Sequence, residues 1–97
     1  MHLLTSFKKR EIESALTSKG FLPTNTDHEY FFFYVDGKKT SVWTKLSFGD
    51  KEYGDPLLGQ IKKQLHLTKG ELIDLIECPL TEEMFRKKMI ENGFVKL

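Results

Sequence analysis

The sequence predicts an α+β protein in which one helix precedes three strands and three more helices follow them. Two observations carry this prediction. Residues 28–35 are dominated by aromatic side chains, which favour strands, and Asp36-Gly37 directly after them is a typical two-residue hairpin turn. On both sides of the hairpin, apolar residues recur at helical spacing. With 97 residues, the chain is expected to form one domain.

The first helix is predicted to start at Ser6, which is a suitable N-cap residue. Ile12 and Leu16 belong to its apolar stripe. Lys-Gly-Phe at 19–21 predicts its end, with the glycine just past the helix and the phenylalanine packed back on it. A short strand at 21–22 is expected to be cut by Pro23.

The hairpin distributes its side chains over two faces, because neighbours along a strand point in opposite directions. A two-residue turn would pair Tyr30 with Trp43 and His28 with Lys45. The predicted core face carries Phe31, Phe33, Val35 and Val42. The other face carries His28, Tyr30, Phe32, Tyr34, Ser41, Trp43 and Lys45. Since four large aromatics in water would form an unusually large patch, we expect most of this second face to be covered, either by the C-terminal helices or by a partner, with His28 and Lys45 at an accessible edge.

Three helices are predicted after the hairpin. Asp55-Pro56 predicts a cap followed by proline at the first helical position. Thr68 and Glu71 have the spacing of a capping box for the next helix. Thr81 is the expected N-cap of the last helix, which Asn92-Gly93 should end. Each helix therefore has its own start signal in the sequence.

Composition excludes several classes of function. A net charge of +1 provides no broad basic field, so any RNA contact has to be local. The single cysteine, Cys78, excludes an internal disulfide, fits a cytoplasmic protein and is interpreted as a packing residue. The start, MHLLTSFKKR, has no apolar run long enough for a signal peptide. The apolar run at 31–35 is too short to span a membrane. The histidines and the cysteine lack metal-ligand spacing, so no metal or other cofactor is expected.

Three groups of residues could carry chemistry. His28 could act as a general base or acid near neutral pH, although a histidine at a strand start is more often only partly exposed and hydrogen-bonded. Tyr30 and Trp43 could stack on unpaired bases. Lys8 and Lys9 could contact a phosphate, although a solvated basic face is the usual interpretation of such a run.

Three stretches together resemble a known family. FKKREIESALTSKGF is similar to an opening helix with a Gly-Phe turn, DHEYFFFYV to a strand bearing a histidine, and DPLLGQIKKQLHL to the helix after a hairpin. The order resembles the HicA-like (YcfA-like) toxins of type II toxin–antitoxin systems. The resemblance implies a double-stranded-RNA-binding-like α-β-β-β-α sandwich. It places the toxin core at residues 1–67 and leaves 68–97 as a helical extension packed on the same domain.

The resemblance also implies an activity. Family members are small, metal-independent ribonucleases that cleave mRNA and are neutralised by a HicB-type antitoxin. The family histidine falls on His28, which would take a proton from a ribose 2′-hydroxyl, while Lys45 stabilises charge on the phosphate. This chain has Thr26-Asp27 where the family usually has Gly-Ser. The alternative is a noncatalytic module of the same fold whose aromatic face binds RNA or a protein.

Overall fold

The structure, a computed structural model, describes residues 6–25, 29–47, 49, 51–77 and 79–96, so His28 and Cys78 lie outside the described residues. The elements within them are β1 (Phe7–Lys8), α1 (Lys9–Ser18), β2 (Phe21–Asn25), β3 (Glu29–Val35), β4 (Lys38–Leu46), β5 (Glu52–Tyr53), α2 (Asp55–Gln64), α3 (Lys69–Glu77) and α4 (Glu82–Glu91). Strands and helices occupy separate parts of the chain for the most part, which confirms the predicted α+β class.

The strands form two antiparallel sheets. β2, β3 and β4 make a three-stranded sheet in that order, and β1 pairs with β5 in a separate two-stranded ribbon. The ribbon pairs Phe7 with Tyr53 and Lys8 with Glu52. It was not predicted, because strands of two residues are too short to have a periodic pattern.

The hairpin turn is the one that the sequence predicts. Asp36 has φ 53° and Gly37 has φ 79°, so both central residues are left-handed. That combination defines a type I′ turn, whose twist matches the twist of the two strands that it joins. Val35 and Lys38 pair across it, as a two-residue turn requires.

Beyond the turn, the predicted register is wrong by two residues. Tyr34 still pairs with Lys39, but Phe32 pairs with Trp43, so three residues of β4 stand opposite one residue of β3. Thr40 stabilises this bulge, because its hydroxyl donates to the Phe33 carbonyl at 2.6 Å and accepts from the Val42 amide at 3.2 Å. The shift is an even number of residues, so every side chain keeps its predicted face.

β2 continues through Pro23, contrary to the prediction that the strand ends there. The Tyr34 amide donates to the Gly20 carbonyl at 3.0 Å. In an antiparallel ladder, hydrogen-bonded pairs alternate with pairs that are not hydrogen-bonded. Since Gly20 and Tyr34 form a hydrogen-bonded pair, Leu22–Phe32 and Thr24–Tyr30 are hydrogen-bonded pairs too. The nitrogen of Pro23 then faces the open edge of the sheet, where no donor is needed.

The start of α1 differs from the prediction. Lys8, not Ser6, is the N-cap, and its amide donates to a carboxylate oxygen of Glu11 at 2.7 Å. The helix starts later because Phe7 and Lys8 belong to β1. The start of α2 is shifted by one residue, with Gly54 as the N-cap in place of Asp55.

The two later caps are confirmed. Thr68 and Glu71 form a reciprocal capping box, with distances of 2.9 and 3.1 Å between amide nitrogen and side-chain oxygen. The Lys88 ammonium and the Thr68 amide, which both hydrogen-bond to Glu71, lower the pKa of that carboxyl. The Met84 amide donates to the Thr81 hydroxyl at 3.1 Å and so caps α4.

All four helices contribute to a single core on one face of the three-stranded sheet. The four residues predicted for this face, Phe31, Phe33, Val35 and Val42, are buried there as expected. The C-terminal helices supply Leu72, Leu75, Ile76, Phe85 and Met89 to the same core.

A buried lysine ties α1 to the C-terminal helices. Lys19 is only 7% exposed, and its ammonium donates to the carbonyls of Leu75 at 2.9 Å and Leu80 at 2.5 Å. These carbonyls lie near the C-terminal end of α3, where the helix dipole favours a positive charge. Gly20 follows with φ 94°, a left-handed conformation that favours glycine. A Cβ atom at this position would lie 2.5 Å from a carboxylate oxygen of Glu82, because the chain passes close to α4 here.

Lys19→Met is expected to lower the free energy of unfolding by about 2–3 kcal/mol, because two buried carbonyls lose a charged donor. Urea denaturation followed by circular dichroism measures the change. Lys87→Met, at an exposed position of α4, is the matched control and should change stability by no more than about 0.5 kcal/mol. Equal effects of the two substitutions would contradict the bridging role of Lys19.

Candidate nucleic-acid interface

The side of the three-stranded sheet opposite the core carries a cluster of aromatic side chains. We call this surface, formed by Tyr30, Phe32, Tyr34 and Trp43, the aromatic face. Its side chains are half-buried. The ring centroid of Tyr30 lies 6.4 Å from that of Phe32 and 5.8 Å from that of Trp43, so the rings partly cover one another.

The expectation that the C-terminal helices cover the aromatic face is wrong for the residues that the structure describes. The buried side chains of α3 and α4 join the core on the opposite side of the sheet. Phe85 of α4, for example, contacts Phe33 with a centroid distance of 4.9 Å. Packing of the helices on the core face leaves the aromatic face at the surface.

The pairing of the strands arranges the surface in rows. Two rows run across all three strands: Leu22–Phe32–Trp43 and Thr24–Tyr30–Lys45. Rows that are two residues apart along a strand are separated by about 7 Å. Leu22, at 50% exposure, extends the apolar surface to the edge strand.

Lysines lie at both ends of the aromatic face. Lys39 holds its ammonium nitrogen 3.9 Å from the centroid of the Phe32 ring, a cation–π contact. Lys45 pairs with Tyr30, not with His28 as predicted, because of the bulge in β4. The Lys45 amide donates to the side-chain oxygen of Gln64 at 3.2 Å, which fixes this part of β4 against α2.

Lys8 and Lys9 lie outside the aromatic face. They line a second basic surface with Arg10 and Lys51, in a groove of about 460 Å³. Lys9 makes an ion pair of 3.1 Å with Glu29, whose side chain points to the helix side of β3. Lys9 therefore lies on the opposite side of the sheet from Tyr30 and Trp43.

Carboxylates reduce the positive charge of that groove. Burial and a hydrogen bond to Glu29 raise the pKa of Glu13, while the charge of Lys9 acts in the opposite direction. Lys9 thus interacts with two acidic side chains. We conclude that the start of α1 has less capacity to hold a phosphate than its run of basic residues indicates.

Of the six residues proposed from the sequence, the structure brings together Tyr30, Trp43 and Lys45. Two residues of this surface were missed. Leu22 lies in the strand predicted at 21–22, and the alternation that buries Phe21 places Leu22 on the opposite face. Lys39 could have been found from its pairing with Tyr34. The cation–π contact itself has no signal in the sequence.

No family model, curated protein or solved structure matches the chain. Two further observations concern the described residues only. No helix among them is long and apolar enough to cross a membrane. They contain no group of three or more histidine, cysteine, aspartate or glutamate side chains that could hold a metal ion.

Proposed function

We propose that this chain binds single-stranded RNA on the aromatic face, as a member of the HicA-like group that its sequence resembles. The observation that carries the proposal is the surface position of four aromatic rings between Lys39 and Lys45. Unpaired bases stack on aromatic rings of a sheet, and lysines neutralise the phosphates of the same strand. The order α1-β2-β3-β4-α2 is compatible with the double-stranded-RNA-binding-like sandwich that the resemblance implies.

Charge favours RNA over a protein partner at this surface. The described side chains on this side of β2, β3 and β4 include lysines and aromatics but no carboxylate. Glu29 lies at the start of β3, but its carboxylate is held on the opposite side by Lys9. A net positive, aromatic surface complements a polyanion with exposed bases. A HicB-type antitoxin stays the protein partner that we expect from the resemblance.

The same surface leads to a catalytic proposal. His28 immediately precedes β3, whose first residues include Tyr30, the partner of Lys45. We propose that His28 takes the proton of a ribose 2′-hydroxyl, and that the resulting oxygen attacks the adjacent phosphorus. The bond to the 5′-oxygen breaks, that oxygen receives a proton from His28 or water, and a 2′,3′-cyclic phosphate remains. Lys45 stabilises the charge on the phosphate. The substrate would be mRNA.

RNA binding is tested with Trp43, which is the only tryptophan of the chain. Addition of a single-stranded oligonucleotide should quench its fluorescence, since a base stacks on the indole. Trp43→Ala should weaken RNA binding by about 1–3 kcal/mol, measured by fluorescence anisotropy of a labelled oligonucleotide. Met84→Ala, at a 51% exposed apolar position of α4, serves as the control and should bind RNA normally.

Two results would contradict RNA binding on the aromatic face. One is unchanged affinity for RNA in the Trp43→Ala variant. The other is Trp43 fluorescence that ignores RNA but responds to a protein partner, which would favour the noncatalytic protein-binding module. Lower affinity at higher salt is also expected, because the lysines release counterions from the phosphates.

A further inference from the structure

A groove of about 550 Å³ opens at the hairpin end of the three-stranded sheet. We call it the hairpin groove. One wall is the hairpin from Val35 to Ser41, and the other is the segment 93–96 that follows α4. The hydroxyl of Ser41 donates to the Phe94 carbonyl at 3.5 Å and links the two walls. Val95 is buried in the core, which anchors the segment.

The lining of the hairpin groove is positively charged. Lys38, Lys39 and Lys96 are exposed members of it. Asp36 is its one carboxylate among the described residues, and the Arg86 guanidinium lies 3.3 Å from that carboxylate. An anion in the groove would therefore meet three lysines and an already paired acid.

The groove also presents an aromatic ring. Phe94 lines it and is 38% exposed. The ring of His66 stacks on Phe94 with a centroid distance of 3.6 Å and an angle of 4°, so one side of the phenylalanine is supported by the imidazole. A partly exposed aromatic beside lysines repeats the chemistry of the aromatic face.

Lys39 joins the two surfaces. Its ammonium lies over Phe32 on the aromatic face, and the residue is also part of the groove lining. A strand whose phosphate contacts Lys39 thus reaches the groove without crossing an acidic surface of the described residues. The shared residue Lys39 and the positive charge of both surfaces support one continuous path for a bound strand.

We propose that a single RNA strand bound on the aromatic face continues past the hairpin into the hairpin groove, where Lys38 and Lys96 contact its phosphates and Phe94 meets a base. This inference rests on the proposed RNA binding and adds the direction and the extent of the bound strand. A longer strand should therefore bind more tightly than a short one that fills the aromatic face alone.

The test compares oligonucleotides of about four and about ten nucleotides over a series of salt concentrations. Anisotropy titrations are made on the wild-type chain and on Lys38→Gln/Lys96→Gln. For the longer oligonucleotide, log affinity falls with log salt, and this negative slope should become less steep by about 0.7 for each lysine lost. The short oligonucleotide should keep its slope. Lys63→Gln/Lys87→Gln removes two exposed lysines outside the groove lining and should resemble the wild type.

Three outcomes overturn the inference. In the first, the longer oligonucleotide keeps its wild-type slope in Lys38→Gln/Lys96→Gln, or the control pair lowers it equally. The RNA then leaves the protein by another path, and binding on the aromatic face stands. In the second, a poly-glutamate peptide binds as tightly as RNA and loses affinity in the same variant, which assigns the groove to an acidic protein. In the third, the wild-type chain binds neither oligonucleotide, which overturns the proposed function as well.

Discussion

His28→Ala should slow RNA cleavage by about 10²–10⁴, the usual contribution of a general acid–base group. The reaction is followed in the presence of a chelator, because the proposed chemistry requires no metal ion. Products of the wild-type chain should end in 2′,3′-cyclic phosphate. Quenching of Trp43 by RNA should persist in the variant, since the proposed base stacking on the aromatic face does not require His28.

A second histidine provides the control for this substitution. His2→Ala changes the same residue type at a position with no proposed role, and its cleavage rate should match that of the wild type. Full activity of the His28→Ala protein would exclude His28 as the general base. If RNA quenches the Trp43 fluorescence of the wild-type chain but is not cleaved, the result favours the noncatalytic RNA-binding module over the ribonuclease.

Phe85→Ala should lower the free energy of unfolding by about 3–5 kcal/mol, the usual cost of removing a buried phenylalanine ring. Its side chain is fully buried, and its ring centroid lies 5.5 Å from that of Phe21 and 4.9 Å from that of Phe33. The substitution leaves a cavity between α4 and the sheet. Urea denaturation followed by circular dichroism measures the loss.

Met84→Ala is a close control for Phe85→Ala, because it truncates the adjacent residue on the same helix at a 51% exposed position. Its cost should stay within about 0.5 kcal/mol. The difference between the two variants tests whether residues 68–97 share one core with the sheet. Similar, small costs for both substitutions would contradict the packing of α4 on Phe21 and Phe33.

The hairpin turn and the faces of its strands were predictable because their signals are local. Asp36-Gly37 specifies a turn in which both residues are left-handed, and the structure has that turn. The alternation of side chains then separated Phe31 and Phe33 from Tyr30 and Phe32 correctly. Thr68 and Thr81 likewise cap their helices as predicted, because a cap depends on residues only three positions apart.

The candidate site was predicted less completely. The bulge at Thr40 moves Lys45 from His28 to Tyr30, and a turn sequence contains no information about an irregularity several residues away. Lys9 was proposed as a phosphate contact, but it is paired with Glu29, a residue twenty positions later. Contacts between distant residues have no local pattern from which they can be predicted.

The sequence by itself determined the four helices, the three strands of the larger sheet, the turn that joins β3 and β4, and the side chains that β3 and β4 present to either face. These properties follow from backbone preferences and from short-range periodicity. Only the tertiary structure decided which face the C-terminal helices cover. Both faces of β3 are rich in aromatic residues, so hydrophobicity alone could not assign these helices to one of them. The helices bury Phe33 with Phe85 and leave Trp43 at the surface, because long-range packing selects one set of contacts over the other.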